Sequence, residues 1–522
     1  MKLFPYLILL IICFSCKTSG EQRPNIIFIM SDDHAAHAIS AYGGIYKDLA
    51  PTPNIDRIAN EGILFQNVFC TNAICGPSRA SILTGKYSHL NGYYKNHHGG
   101  KFDSAQWTFP QAFQQNGYRT ALFGKWHLGT EPIGFDEFKY HNNKGQQGTY
   151  YDPVYNENGV NKTEKGYATR LTTDFALEWM KGQKEKDEPF LMMLHYKAPH
   201  RKWEPEEQYE DLFEGMEMPY PDTFDDDYEG RELTAGNTDM TMDYFDPRDM
   251  KILSPDSIQD PKKLRRWAEM GYKRGTGEGW LPNDTMTRDE ARRWKYQRYI
   301  KDYLSCIRSV DDNIGRVLDY LDQAGLSENT IVIYTSDQGF YLGDHGWFDK
   351  RFMYEPSLRM PFLLRYPSMI DSGQVNDDLI MNVDFAPTLL DFAGIATQEQ
   401  LQGKSFKSNL ISADSSEWRQ AVYYHYYEYP FWHHVQPHYG VRDKRYKLIH
   451  FYYDVDVWEL YDLKNDPEEL KNLYGDPQYA EVVERLKRQL TELQIEFHDD
   501  ISLDSMRTIT RMDLGLIGGG EH

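Results

Sequence analysis

Four short polar clusters, each following an apolar run, carry side chains that could do chemistry together. Asp32-Asp33 follows Ile26 to Met30, and Lys125 and His127 follow residues 119–123. His200 follows residues 189–195, and Asp337-Gln338 follows residues 330–335. The carboxylate and amide oxygens of Asp32, Asp33, Asp337 and Gln338 suit a hard divalent cation, and Ca2+ accepts such oxygens in irregular geometry. Few Cys or His lie among them, which argues against zinc. Alone, an Asp-Asp pair is more often a turn or helix cap. Two acidic clusters after two apolar runs point to a metal site.

The runs that place these clusters read as buried strands, because a strand covered on both faces is apolar throughout. Residues 361–365 read as a fourth such strand. Residues 53–61, 75–84, 294–323 and 383–393 read as helices between them. Strands alternating with helices predict an α/β domain over 23–402, built on a large, mostly parallel sheet covered by helices on both faces. Such sheets hold ligands beyond the carboxyl ends of their strands, where the four clusters would meet. Residues 201–290, long and acidic, read as an insertion near that edge. Tyr, His and Trp become dense after Gly403. Residues 439–453 alternate like hairpin strands and 479–497 form a charged amphipathic helix. These predict a smaller C-terminal α+β unit over 403–498 with an antiparallel sheet, and 499–522 read as a loosely held tail.

Residues 1–15 hold Lys2 and an unbroken apolar run from Leu7 to Phe14, a signal-peptide core too short to span a bilayer. Ser15-Cys16 resembles a bacterial lipoprotein processing site, with Cys16 the lipidated first residue; plain secretory cleavage is the other reading. The chain is therefore expected to be exported, with possible membrane attachment through Cys16. A periplasmic lipoprotein is favoured over outer-surface display, because Lys17 to Glu21 has no acidic run. Lys and Arg number 57 against 79 Asp and Glu, a net charge of −22 that excludes a general nucleic-acid binder. An anionic substrate then requires cations concentrated locally. Cys70 and Cys306 are expected as buried thiols rather than a disulfide.

Cys75-Gly76-Pro77-Ser78-Arg79, followed closely by Thr84-Gly85, resembles the signature of the formylglycine-dependent sulfatases, members of the alkaline-phosphatase superfamily. The similarity continues at Gly124 to Gly129, Lys197 to His200, Thr335 to Gly339, Leu342 to Gly346, Phe348 to Lys350, Trp458 to Leu463 and Asn465 to Glu469. It runs from about Arg23 to about His498; Gln338 departs mildly, standing where many members have Asn. The resemblance implies that a maturation enzyme oxidises Cys75 to formylglycine (3-oxoalanine), whose hydrate attacks sulfur. It implies one Ca2+ per chain on Asp32, Asp33, Asp337 and Gln338, with the modified Cys75 as a further ligand. Arg79 would reach back to the hydrate, Lys125 and Lys350 would bind sulfate oxygens, His127 would take the proton released with sulfate, and His200 would protonate the leaving oxygen.

The implied substrate is a sulfated polysaccharide or its oligosaccharides, with ulvan, carrageenan, glycosaminoglycan and mucin glycans as candidates. Residues 337–361 look most like bacterial carbohydrate sulfatases of the N-acetylglucosamine-6-sulfatase-like kind, a label that does not fix the sugar or position. His97 and His98, after the signature helix, and His433, His434 and His438, in an aromatic loop, are expected substrate contacts; ordinary packing is the alternative for each. Two rival readings are a phosphodiesterase or phosphonate monoester hydrolase of the same superfamily and a non-catalytic glycan-binding lipoprotein. The first usually holds two transition metals through several His. The second has no need of a complete signature.

Overall fold

The computed structural model describes residues 23–96, 102–183, 188–245, 249–251, 285–397, 401–410, 418–431 and 433–516. Residues 1–15, Cys16, His97 and His98 lie outside the described residues.

Asn25–Ser31 is the central strand of a ten-stranded sheet. It pairs in parallel with Phe190–Tyr196 on one side and Thr330–Ser336 on the other. Successive side chains alternate between faces. Ile27 and Ile29 join one core with Met180, Ile307 and Val310, while Ile26, Phe28 and Met30 join another with Ala80, Phe385 and Leu389. Helices Ala168–Gln183 and Arg288–Ala324 supply the first core, and Cys75–Thr84 and Phe385–Phe392 contribute to the second. Two covered faces explain the unbroken apolar runs. Arg119–Gly124 and Glu137–His141 extend the parallel set. Val154–Glu157 and Val160–Thr163 close that edge as antiparallel strands.

The opposite side adds antiparallel pairs, as a mostly parallel sheet allows. Phe362–Arg365 runs antiparallel to Thr330–Ser336, followed outward by Ile63–Phe65 and Gln374–Asn376. A parallel return requires a crossover to the far end of the sheet. Residues 337–361 make none: they stay at one end through two-residue strands and the short helix Glu355–Leu358. That excursion carries Lys350 back over the strand ends.

The C-terminal unit is a four-stranded antiparallel sheet, Ala421–Tyr426, His438–Asp443, Tyr446–Phe451 and Val457–Asp462. Helix Ala480–Glu496 buries Val483, Leu486 and Leu490. The sheet joins the core of the large domain directly, since Val422, Tyr423 and Leu448 belong to the cluster that holds Phe28. In the insertion, residues 201–245 form turns, three short 3-10 helices and one isolated bridge from Thr241 to Trp347, with no α-helix or extended strand. Trp203 and Phe245 pack on Tyr299 of the long helix and on Phe348. Cys70 and Cys306 are buried free thiols. Among the described residues, no helix is long and apolar enough to cross a membrane.

The segment read as a loose tail is not loose over its described length. Leu503–Asp513 is a helix capped by the Ser502 side chain, with Met506 and Thr510 buried. Arg507 Nε donates to the Tyr452 carbonyl at 2.7 Å. Just before it, Asp499 accepts from Tyr423 at 2.6 Å and lies 2.7 Å from His425 Nδ1. Burial works against the Asp499 charge, but His425, His89 and Tyr423 outweigh it and hold the carboxyl down to about 2. A depressed carboxylate stabilises the fold above its unfolded pKa of about 4 and loses that contribution as pH falls through its folded value. Asp499→Asn is therefore expected to cost about 2 kcal/mol at pH 7. Urea unfolding at descending pH should show this difference shrinking below about pH 4.

Candidate active site

Cys75 opens helix Cys75–Thr84, directly after the extended Ile74, and every residue of that helix is buried. Unpaired N–H groups at a helix start favour negative charge there. The Cys75 side chain borders a cavity of about 950 Å3 that also exposes Asp33, His127, Lys197, His200 and Lys350. Burial pushes the Cys75 thiol up, against the opposing pull of Lys125 and Lys350.

Asp32 and Asp33 follow the central strand, and Asp337 and Gln338 follow its parallel neighbour, so chain direction alone brings the four together. Carboxylate oxygens of Asp32, Asp33 and Asp337 lie within 4.8 Å of one another. The Asp33 N–H donates to Asp337 Oδ1 at 3.2 Å, and Gln338 Nε2 donates to Asp33 Oδ1. Asp32 Oδ1, Asp33 Oδ2 and Gln338 Oε1 are buried with no hydrogen-bond partner. Burial, with Asp32 and Asp337 alongside, pushes the Asp33 carboxyl up to about 7 despite Lys350. Burial and Asp32 push Asp337 up to about 6. Three orphaned hard oxygens in a buried acidic cluster fit one hard divalent cation, which would relieve the repulsion.

The cations close around this cluster. Lys125 Nζ donates to Asp32 Oδ2, and Lys350 Nζ donates to Asp33 Oδ1 at 2.5 Å. Arg79 braces the acidic cluster: its Nε donates to Asp337 Oδ2 and its Nη1 to the Lys125 carbonyl, both at 2.9 Å, while its buried Nη2 has no hydrogen-bond partner. His127 lies with Nε2 2.7 Å from the Gln147 side-chain nitrogen. His200 Nδ1 is 2.6 Å from the Arg201 carbonyl and so carries the ring proton, leaving Nε2 3.8 Å from Asp33 Oδ2. Burial holds both imidazoles well below the ordinary histidine range, with Lys125 lowering both further. Lys350→Ala removes one of the cations that face the cavity and is expected to lower kcat about 10²- to 10³-fold in sulfate-release assays.

None of the three histidines of the aromatic loop lines the cavity beside Cys75. His438 is fully buried; its Nδ1 meets the Gln436 carbonyl at 2.7 Å and its Nε2 accepts from the Met353 N–H at 3.1 Å. That ring is a core residue. His433 sits behind the cavity wall, 2.8 Å from Asp239 and 3.0 Å from Asp349. His434 is 60% exposed beside Asp239. The wall itself holds residues that motif reading does not assign: Asn96, Asp349, Arg351 and the pair Arg201–Asp249. Arg201 grips Asp249 with two hydrogen bonds of 2.9 and 2.6 Å. Arg351 Nη1 lies 2.7 Å from Asp349 Oδ1. Burial opposes the Asp349 charge, but Arg351, Lys350 and His433 hold the carboxyl well below the usual carboxylate range. Position next to Lys350 is a usable signal for Asp349 and Arg351; Asn96 and Asp249 carry none in sequence.

Residues 24–395 match the family described as Sulfatase, and residues 343–496 match that described as N-sulphoglucosamine sulphohydrolase, C-terminal. The chain belongs to the sulfatase family. An N-acetylglucosamine-6-O-sulfatase of Bacteroides thetaiotaomicron is 46% identical over 505 residues, covering 94% of this chain and 89% of that protein. An arylsulfatase of Clostridium perfringens is 26% identical, covering 90% and 94%. A solved protein in complex with its substrate D-glucosamine-2-N,6-O-disulfate superposes with a TM-score of 0.84 at 44% identity, covering 92% of this chain and 99% of that one. The sulfatase is a sulfuric ester hydrolase of bacterial carbohydrate-sulfatase type. A phosphonate monoester hydrolase of Agrobacterium radiobacter, at TM-score 0.66 and 21% identity, shares the fold alone.

Proposed function

We propose that this sulfatase hydrolyses the 6-O-sulfate ester of glucosamine or N-acetylglucosamine residues in sulfated glycans. The carrying observation is Cys75 at a helix start, facing one cavity with Lys350, His127, His200 and Asp33 of the acidic cluster. The sugar is supported by the relative named above at 46% identity and by the solved substrate complex at 44%.

Asp32, Asp33, Asp337 and Gln338 would hold one Ca2+, which would supply positive charge next to the sulfate oxygens. Residue 75, oxidised by a separate maturation enzyme, would supply the hydrated aldehyde as nucleophile. The chain's own groups do the rest. Lys125 and Lys350 hold the ester's oxygens as charge spreads over them. The neutral His127 accepts a proton at residue 75. His200 would take up a second proton at Nε2 as the anionic ester binds and pass it to the departing sugar oxygen, while Nδ1–H stays on the Arg201 carbonyl. Asp349 and Arg351, an acceptor and a donor side by side on the wall, suit neighbouring sugar hydroxyls. Residues 1–15 and Cys16 support export and periplasmic lipid anchoring as part of the same reading. Matured enzyme should release sulfate from 6-O-sulfated N-acetylglucosamine and leave 4-O-sulfated N-acetylgalactosamine and 6-phosphorylated N-acetylglucosamine intact. Equal release from both sulfated sugars would overturn the assignment of the sugar.

A further inference from the structure

We propose that Asn96 is a further catalytic residue of this sulfatase, and that the C-terminal helix Leu503–Asp513 holds it in place through Asp513 and Lys95. Both roles rest on residue 75 being the reacting position, as the proposed function has it.

Asn96 Nδ2 donates to Cys75 Sγ at 3.3 Å, a direct contact with the group that reacts. Asn96 Oδ1 is buried with no hydrogen-bond partner, so the amide is fixed by its donor side alone. Gly76 makes this approach possible. A Cβ at residue 76 would come within 2.4 Å of Asn96 Oδ1 and 2.5 Å of Tyr93 Cε1. The glycine inside the signature thus leaves room for the Asn96 amide against residue 75. A neutral N–H donor aimed at that side chain orients whatever atom occupies it and stabilises negative charge developing there. The charged groups Lys125, Lys350 and Arg79 are engaged with the acidic cluster; Asn96 approaches residue 75 from the opposite partner set.

The C-terminal part of the chain supplies that set. The Asn96 N–H donates to Glu428 Oε2 at 2.7 Å. Tyr94 packs on Tyr427, with ring centroids 5.6 Å apart. Lys95 Nζ meets Asp513 Oδ1 at 2.6 Å, both side chains being mostly buried. Helix Leu503–Asp513 is itself fixed by Arg507 to the Tyr452 carbonyl and, at 2.9 Å, to Asp456. Three consecutive residues, 94 to 96, are each gripped from the C-terminal part of the chain, and the last touches residue 75.

The test uses the full matured chain with 6-O-sulfated N-acetylglucosamine, and beside it the same chain with Cys75 as the free thiol. Asn96→Ala and Asn96→Asp both remove the N–H donor and are expected to lower kcat about 10²-fold with KM changed less than about threefold. Lys95→Asp and Asp513→Lys should each lower kcat about fivefold, and the double exchange should recover it to within about twofold. In the thiol form, the pH midpoint for alkylation of Cys75, read by peptide mass, should move upward in both Asn96 variants, since a donor to the thiolate is gone. Unchanged kcat in both variants would overturn the catalytic role. Failure of the double exchange to recover kcat would overturn the holding role of the helix. Should wild type release no sulfate, the functional reading fails by itself, and an unmoved thiol midpoint then overturns the role of Asn96.

Discussion

Cys75→Ala is expected to lower sulfate release by at least about 10⁴-fold, the largest effect of any single substitution, because in the proposed function this position supplies the nucleophile. Stability should change little: the side chain makes one weak hydrogen bond, from Asn96, and borders open space. Cys75→Ser is the sharper variant. It keeps a hydroxyl at nearly the same place, so the cavity, the cations and the helix start remain. A serine lacks the second oxygen that an aldehyde hydrate carries, so turnover should stay lost. Multiple turnovers from Cys75→Ser would contradict the assigned chemistry, whatever the substrate.

The next largest effect belongs to the acidic cluster. Asp32→Asn and Asp337→Asn are each expected to lower kcat about 10³-fold. Asp32 also anchors Lys125, and Asp337 anchors Arg79. Loss of either carboxylate therefore disturbs one of these cations as well as the proposed metal site. Activity alone would not separate these causes, but stability does. Ca2+ binding only the folded state raises Tm, by roughly 5 °C at saturating concentration for a chain of this size. The rise should appear in wild type after chelation and be absent in Asp32→Asn. Equal rises in both would move the ion to another site.

Much of this architecture is legible in the residues. The three central strands are apolar at nearly every position because both faces are covered; a strand with one wet face would alternate instead. Once they are parallel, their polar ends must meet at one edge, so the acidic cluster follows from chain direction. Direction itself is not written in periodicity. Phe362–Arg365 is as apolar as its neighbours yet runs the other way, because the intervening segment never crosses the sheet. The tail is hidden for a different reason. Residues 503–513 carry Thr508 and Thr510, poor helix formers, and bury only Met506 and Thr510. Its clearest local signal is Ser502, whose side chain caps the helix. His438 shows the limit of composition: a dense aromatic loop suggests sugar contacts, but strand alternation turns this ring inward. Asn96 and Asp249 reach the cavity only through long-range packing, which no local pattern records.

The most direct measurement pairs two observations on one preparation from a host with the maturation enzyme. Mass spectrometry of the tryptic peptide ending at Arg79 reports whether Cys75 has become the aldehyde. Ion chromatography then reports free sulfate from 6-O-sulfated N-acetylglucosamine. Protein carrying the aldehyde should release sulfate in many turnovers, and protein retaining the thiol should release none. Complete conversion at Cys75 with Ca2+ supplied and no sulfate released from any 6-O-sulfated glucosamine would contradict the proposed function.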